Sequence, residues 1–292
     1  MKAAEFNYQR ARSIQEVIEL LDQYGDNAKL MAGGQSLLPS LNMRLSNPEI
    51  LIDLQSVTEL KGISQVGQVI KIGAMTTHTE IENSALIQEH LPILSEAVPH
   101  IAHRAIRNLG TWGGSCVYGD PAAEWPACAV ALNGVMVLQG PKGERRVLAK
   151  DFFLDLYTTA LETNEILVAT EFDVSKTTRK HYFEELSRRH GDYAVTGIVA
   201  QVIIDQDVIV DSRIVYFSVA STPAMASGVQ ALIKGKNIHS IATPEIIAQA
   251  TQLVRSEIAT LADLTNTAQM KTHLVGVLLE RALKHIANSS RR

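Results

Sequence analysis

Cysteine is nearly missing: Cys116 and Cys128 are the only two in 292 residues. Two thiols cannot supply the four thiolates of an iron–sulfur cluster, and they lack the C-x-x-C spacing of zinc and redox pairs. Both are therefore expected to be small buried thiols. Nine histidines are present, but neither H-E-x-x-H nor H-x-E followed by C-x-x-C occurs, which argues against metal catalysis within this chain. Charge of one sign is also lacking. Lys and Arg total 27 against 31 Asp and Glu, a formal net charge of −4 with no basic cluster, so there is no electrostatic footprint for nucleic acid. No run of about eighteen apolar residues occurs, and the opening MKAAEFNYQRARS has no apolar signal core. These absences predict a soluble, cytoplasmic chain without a membrane span.

What is present is ample apolar content, 46%, and a length that suggests about two domains. Ser13 with Glu16 reads as a capping box, followed by Ile14, Val17, Ile18 and Leu21 at helical spacing, with Gly25 as the stop. Residues 29–32 and 50–54 read as buried strands, and 36–45 as a helix that tolerates Pro39 in its first turn. The first fifty-odd residues thus predict an α/β lobe. Gly67 marks a hairpin turn before residues 69–73, and Thr77 with Glu80 repeats the capping box. Asp120 and Pro121 look like the N-cap and first residue of a helix continuing to Leu132. Hairpin strands follow at 135–138, 146–148 and 166–172. After a polar stretch at 175–180 come three strands, at 181–188, 198–204 and 208–219, and three helices, at 226–234, 244–256 and 268–287.

The functional signal lies in two glycine pairs, Ala32-Gly33-Gly34-Gln35-Ser36 and Gly110-Thr111-Trp112-Gly113-Gly114-Ser115. Without Cβ atoms, such loops can turn successive N–H groups toward an anion, and a strand entering the first and a helix leaving it suit a phosphate. A Cβ added at Gly33 or Gly113 is expected to fill phosphate space. Neither loop is a Walker motif, since no Gly-Lys-Ser/Thr follows, and G-x-G-x-x-G is absent, which removes support for kinases and for nicotinamide dehydrogenases of that type.

The run Met31 to Pro39 with Pro48 to Leu54 resembles the FAD-binding medium subunit of molybdenum hydroxylases, the family of carbon monoxide, xanthine and nicotine-type dehydrogenases. Gly110 to Gly114 with Asp120 to Glu124, Glu165 to Leu167, Arg188 to Ala194 and His273 to Leu283 continue the resemblance in order along nearly the whole chain. It implies an α+β protein: a two-lobed FAD-binding fold of the vanillyl-alcohol-oxidase/PCMH type at 1–176 (lobes 1–55 and 56–176). A C-terminal domain at 177–292 then follows, with a three-stranded antiparallel sheet and a three-helix bundle.

By the same resemblance, Ala32, Gly33, Gly34, Gln35, Ser36, Leu37, Gly110, Thr111, Gly113 and Gly114 cradle the FAD pyrophosphate through backbone N–H groups. Glu124, where aspartate is commoner, is placed near ribityl or phosphate-side hydroxyls. Ile101 falls where an apolar residue packs near the flavin ring, Leu167 where a backbone contact to the ring is common, and Tyr193 is placed to cover the ring with its aromatic face. Gln35 and Ser115 depart from the family's usual residues without removing a glycine. The implied function is an electron-transfer flavoprotein subunit with no catalytic residue of its own. Its partners would be a large molybdenum-pterin subunit and a small subunit with two-iron–two-sulfur centres, in a dimer of heterotrimers. Two alternatives stay open: a self-contained FAD oxidoreductase, for which His78, His100 or His103 would be candidate tethers, and a noncatalytic nucleotide-binding module.

Overall fold

The computed structural model describes residues 2–175 and 177–289. The N-terminal lobe runs β1 (Asn7–Arg10), α1 (Ile14–Tyr24), β2 (Ala28–Met31), α2 (Leu37–Asn42) and β3 (Ile50–Asp53). The three strands form a parallel sheet in the order β1-β3-β2. Val17, Ile18, Leu20 and Leu21 of α1 pack with Ile50 and Ile52, as the helical spacing requires. Ser13 Oγ accepts the Glu16 N–H, whereas Glu16 reaches back to the Arg12 N–H, so the expected capping box closes one residue early. Helix α2 is shorter than expected, and Arg44 leaves it with φ +58.

The second lobe begins with the hairpin β4 (Ile63–Val66) and β5 (Val69–Gly73). Short helices follow: α3 (His78–Glu82), α4 (Ala85–His90), α5 (Pro92–Ala97), α6 (Arg104–Arg107), α7 (Trp112–Tyr118) and α8 (Glu124–Ala131). At Thr77 both halves of the capping box form. The hairpin β6 (Val135–Gly140) and β7 (Gly143–Leu148), helix α9 (Ala149–Phe152), the small pair β8 (Phe153–Asp155) and β9 (Thr158–Thr159), and β10 (Ile166–Asp173) complete it. The sheet order β4-β5-β10-β6-β7 places β10 between the two hairpins. A bulge near Val168 interrupts its pairing with β6.

Asp120 and Pro121 do not start a helix. Asp120 accepts the Ala122 and Ala123 N–H groups in a turn, and α8 begins at Glu124. The reason is Pro126: in a helix starting at 121 its missing N–H would leave the Ala122 carbonyl without a donor, whereas a start at Glu124 puts it in the first turn.

The C-terminal sheet contains β11 (Thr178–Ser187), β12 (Ala194–Asp205), β13 (Val208–Phe217) and β14 (Ala224–Met225), antiparallel and in that order. The expected three-stranded sheet therefore has a fourth, two-residue strand, formed where Ala224 and Met225 pair with Tyr216 and Val215. Helices α10 (Ser227–Ile233), α11 (Pro244–Glu257) and α12 (Ala268–Asn288) cover one face. Ile198, Ala200, Ile214 and Tyr216 point into the core beneath them. Val199, Val215 and Phe217 point the other way, into the core of the second lobe. Both faces of β12 are thus covered, which explains its nearly continuous burial.

The expected boundary residue 176 lies outside the described residues. Cys116 and Cys128 are fully buried free thiols, as expected. No helix among the described residues is long and apolar enough to cross a membrane.

Candidate functional site

Strand β2 delivers the chain to Ala32, and the following residues leave their backbone donors unpaired while three of their carbonyls are occupied. The Gly33 carbonyl accepts Gln35 Nε2 at 2.9 Å, the Gly34 carbonyl accepts the Leu38 N–H at 3.1 Å, and the Ser36 carbonyl accepts from both Ser40 N and Oγ. The N–H groups of Ala32 to Leu37 have no acceptor among the described residues. Gly34, with φ +70, supplies the left-handed turn that this arrangement needs. The Ser36 hydroxyl makes no capping bond to α2 and is exposed. Successive unpaired N–H groups are what a backbone needs to hold an anion without a positive side chain.

The second loop has the opposite character. Gly110 N donates to Ile106 O at 2.7 Å, Trp112 N to Thr76 O at 2.9 Å and Gly113 N to Ala74 O at 2.8 Å. Gly114 N goes to Thr111 Oγ1 at 3.0 Å, the N-cap bond of α7, and Ser115 N goes to Thr111 O. Of the donors from Gly110 to Ser115, only the Thr111 N–H has no acceptor among the described residues. The resemblance gave both loops the same task, yet the structure binds most of the second loop's N–H groups inside the protein.

The two loops meet. A Cβ on Gly33 would lie 2.0 Å from the Leu109 carbonyl oxygen and 2.8 Å from Gly110 Cα, and one on Gly114 would lie 3.3 Å from Ala32 Cβ. At Gly113 a Cβ would stand 2.5 Å from Ala74 Cβ. The expectation that these Cβ atoms would occupy phosphate space is therefore corrected: at Gly33 and Gly113 they would first strike protein backbone and Ala74.

Beneath the second loop lies a buried cluster that sequence reasoning missed. Trp125 Nε1 donates to His78 Nδ1 at 2.9 Å, and Trp112 Nε1 donates to Thr170 Oγ1 at 2.7 Å. Accepting at Nδ1 commits His78 to its neutral Nε2–H form. Burial, with Arg107 adding, pulls its pKa down to about 3. The ring backs onto Gly110, where a Cβ would come within 2.7 Å of Nε2. His78 is thus a support for the loop, not a free tether. The missed signal was Thr77, whose capping box places the next side chain, His78, at the start of a buried helix face.

The remaining expected residues fall in two places. Leu167 is buried in β10 beside the bulge, and the Val168 carbonyl accepts the Ala74 N–H, the same Ala74 that holds Gly113. Ile101 is buried, with its carbonyl taking Arg107 Nη1 at 3.1 Å, so α6 connects it to Gly110. Ala102 next to it faces Gly191, where a Cβ would meet the Ala102 carbonyl at 2.4 Å. Two residues on, Tyr193 is 68% exposed. Glu124 is 9% exposed, and burial, reinforced by the Glu185 carboxylate, raises its pKa to about 8. Glu185 was not singled out from the sequence, because a glutamate in an alternating strand gives no signal. His100 lies 3.5 Å from it, and His103 is exposed at the start of α6.

A groove of about 770 Å³ opens elsewhere, lined by Pro244, Thr251, Arg255 and Lys284 among others, and contains none of these residues. Volume favours that groove; the unpaired donors favour the first loop, and for an anionic ligand donors decide.

Comparison with known proteins follows the same line. Residues 4–172 match the family described as FAD binding domain in molybdopterin dehydrogenase, and residues 181–286 match the CO dehydrogenase flavoprotein C-terminal domain. The carbon monoxide dehydrogenase medium chain of Hydrogenophaga pseudoflava is 36% identical over 95% of this chain and 96% of its own. The 6-hydroxypseudooxynicotine dehydrogenase complex subunit alpha of Paenarthrobacter nicotinovorans is 34% identical over 100% of this chain and 97% of its own. A solved Hydrogenophaga pseudoflava carbon monoxide dehydrogenase, lacking the Mo-pyranopterin moiety of its cofactor, superposes with a TM-score of 0.93 at 36% identity, covering 98% of each chain.

Proposed function

The chain belongs to the family of FAD-binding subunits of molybdenum hydroxylases, and from that premise we propose that it is the electron-transfer flavoprotein of a multisubunit dehydrogenase. The observation that carries this reading is the run of unpaired N–H groups from Ala32 to Leu37. Their number, and the absence of a competing carboxylate among residues 32–37, fit the dianionic pyrophosphate of FAD. Gly33 and Gly34 hold these donors in place, and the second loop's unpaired N–H, that of Thr111, follows Gly110, which packs against Gly33. When bound, FAD supplies a redox centre able to exchange electrons with a partner cluster and an external acceptor. Ile101 supplies apolar cover for the ring, Leu167 a backbone contact, and Tyr193 an aromatic face.

Substrate oxidation belongs to a large molybdenum-pterin subunit, and a small two-iron–two-sulfur subunit passes electrons to this chain, in a dimer of heterotrimers located in the cytoplasm. The two buried cysteines fit this division, because they cannot hold a cluster. We place the division between its two domains near residue 176, between the two matched spans.

The test is reconstitution. The purified chain, incubated with excess FAD and desalted, should retain flavin absorbance and oxidise none of the holoenzyme's substrates. A chain that emerges colourless would overturn the cofactor assignment, and substrate oxidation by the chain by itself would favour a self-contained oxidoreductase.

A further inference from the structure

Tyr193 is 68% exposed, so its ring has little packing of its own and stands where its backbone puts it. The next residue, Ala194, is buried and opens β12. The pairing of β12 with β13 reaches only to Gly197 and Phe217, so Ala194 lies beyond the end of that ladder. Ser218 closes the gap. It leaves β13 with φ +62, a left-handed backbone that a residue with a side chain keeps only where its surroundings hold it. Three bonds do so. The Ser218 hydroxyl donates to the Ala194 carbonyl, its N–H donates to the Pro121 carbonyl at 2.7 Å, and its own carbonyl accepts Lys271 Nζ at 2.7 Å. Lys271, in α12, is 4% exposed, and its Nζ also meets Asp263 Oδ2 at 2.8 Å. Asp263 is fixed in turn, its Oδ1 accepting the Thr265 and Asn266 N–H groups at 2.8 Å each. One buried amine thus ties the loop before α12 to Ser218, and Ser218 ties the turn ahead of α8 to the residue that follows Tyr193.

We propose that Lys271 is a positioning residue for the flavin ring: by holding the Ser218 carbonyl it keeps the left-handed turn that fixes Ala194, and so sets where Tyr193 stands. This rests on the FAD reading for the ring that Tyr193 faces; the tie from Lys271 to Ala194 is a property of the chain without FAD. Without the amine the Ser218 carbonyl loses its donor, and a serine left to its own preference abandons φ +62. The hydroxyl then leaves the Ala194 carbonyl, and the backbone carrying Tyr193 is released. Residues 32–37 make none of these bonds, so placing the ring and holding the pyrophosphate are separate tasks.

Two measurements on the full chain test the proposal. In the FAD-free chain, Lys271→Met should speed hydrogen exchange at the Ser218 amide at least tenfold, with the middle of β13 as protected as before. In the FAD-loaded chain, an aromatic ring stacked on flavin quenches its fluorescence, so Tyr193→Leu sets the scale for an uncovered ring. Lys271→Met should give at least half of that rise, and the double variant no more than Tyr193→Leu by itself. Ser218→Ala removes only the bond to Ala194; it should also brighten the flavin, and it carries the test if Lys271→Met does not fold. Unchanged exchange at Ser218 in a folded Lys271→Met would overturn the tie. Unchanged fluorescence in Lys271→Met and Ser218→Ala, where Tyr193→Leu brightens, would overturn the positioning role. If Tyr193→Leu leaves the fluorescence as it was, or no FAD binds, the functional reading fails at Tyr193 and the ring role falls with it, while the exchange rates still decide the tie.

Discussion

The two glycine loops share a composition and differ in where their N–H groups go. The first leaves its N–H groups unpaired, with the Gly33, Gly34 and Ser36 carbonyls occupied, while the second has most of its N–H groups bound to Ala74, Thr76, Ile106 and Thr111. The first loop keeps its donors free, and it rests against the second through the Gly33 and Leu109 contact. Glycine is needed in both, but for different reasons: φ +70 and open donors at Gly34, close backbone packing at Gly33 and Gly113. Substitutions that separate folding from ligand binding can therefore break or sharpen the distinction.

The largest effect is expected where the loops touch. Gly33→Ala would place a methyl group 2.0 Å from a backbone oxygen that no rotamer can move, so the loops must part. We expect about 3 kcal/mol of lost stability, measured by urea denaturation of the FAD-free chain, together with loss of FAD. Full stability with only FAD lost would mean that the Cβ occupies ligand space after all, and the seam between the loops would be wrongly drawn.

Next comes the support beneath the second loop. His78→Leu would leave the Trp125 indole N–H buried without an acceptor, a cost of about 2 kcal/mol. The donors of the first loop stay untouched, so FAD affinity should change little in the population that remains folded. The pH dependence follows from the same ring. Its pKa is lowered in the fold to about 3 from an ordinary value near 6.5, so the unfolded chain binds a proton that the folded chain refuses between those values. Its stabilising contribution is complete above pH 6.5 and falls by about 1.4 kcal/mol per unit as pH drops toward 3. Glu124 has the opposite sign. Raised to about 8, it costs the fold stability as pH rises from the ordinary glutamate range to 8. Urea midpoints followed across pH should therefore show a plateau between about pH 4.5 and 6.5 with falling limbs on either side. His78→Leu should remove the acid limb and Glu124→Gln the alkaline one.

Much of this plan is legible in the sequence because it is local. Ser13 and Thr77 stand as N-caps where the apolar periodicity begins, Gly67 turns a hairpin, and the three C-terminal helices fall within a residue or two of their expected ends. The helix start at 120 was misjudged because Asp-Pro is a strong local signal, and the decisive residue, Pro126, acts through a carbonyl four positions earlier. The two short residues of β14 have no pattern of their own and become a strand only by pairing with β13. The difference between the glycine loops was not legible at all. It depends on acceptors at Ala74 and Thr76, a segment without a motif, which the β5 strand brings beneath the second loop and not the first. Nor could the sequence show that His78 lies behind Gly110, since that pairing is made by the fold.

The smallest expected effects separate the loops most cleanly, because they leave the seam intact. Thr111→Ala removes the N-cap acceptor of Gly114 from α7 and should lower stability by about 1 kcal/mol. Gly34→Ala costs roughly 1 kcal/mol for the left-handed backbone, and its Cβ would press on the movable Leu38 side chain at 3.0 Å and touch Met31 Sδ at 3.7 Å. The two variants are thus matched in stability and differ in what they disturb. Gly34→Ala shifts the backbone that aims the free N–H groups, so FAD affinity should fall tenfold or more, about 1.4 kcal/mol. Thr111→Ala frees the Gly114 N–H while leaving residues 32–37 in place, so affinity should fall by less than half that energy. Isothermal titration of both with FAD reads the ratio directly. Equal losses would mean that the second loop is a receptor as much as the first, and that the bonds it makes within the fold are exchanged for bonds to the ligand.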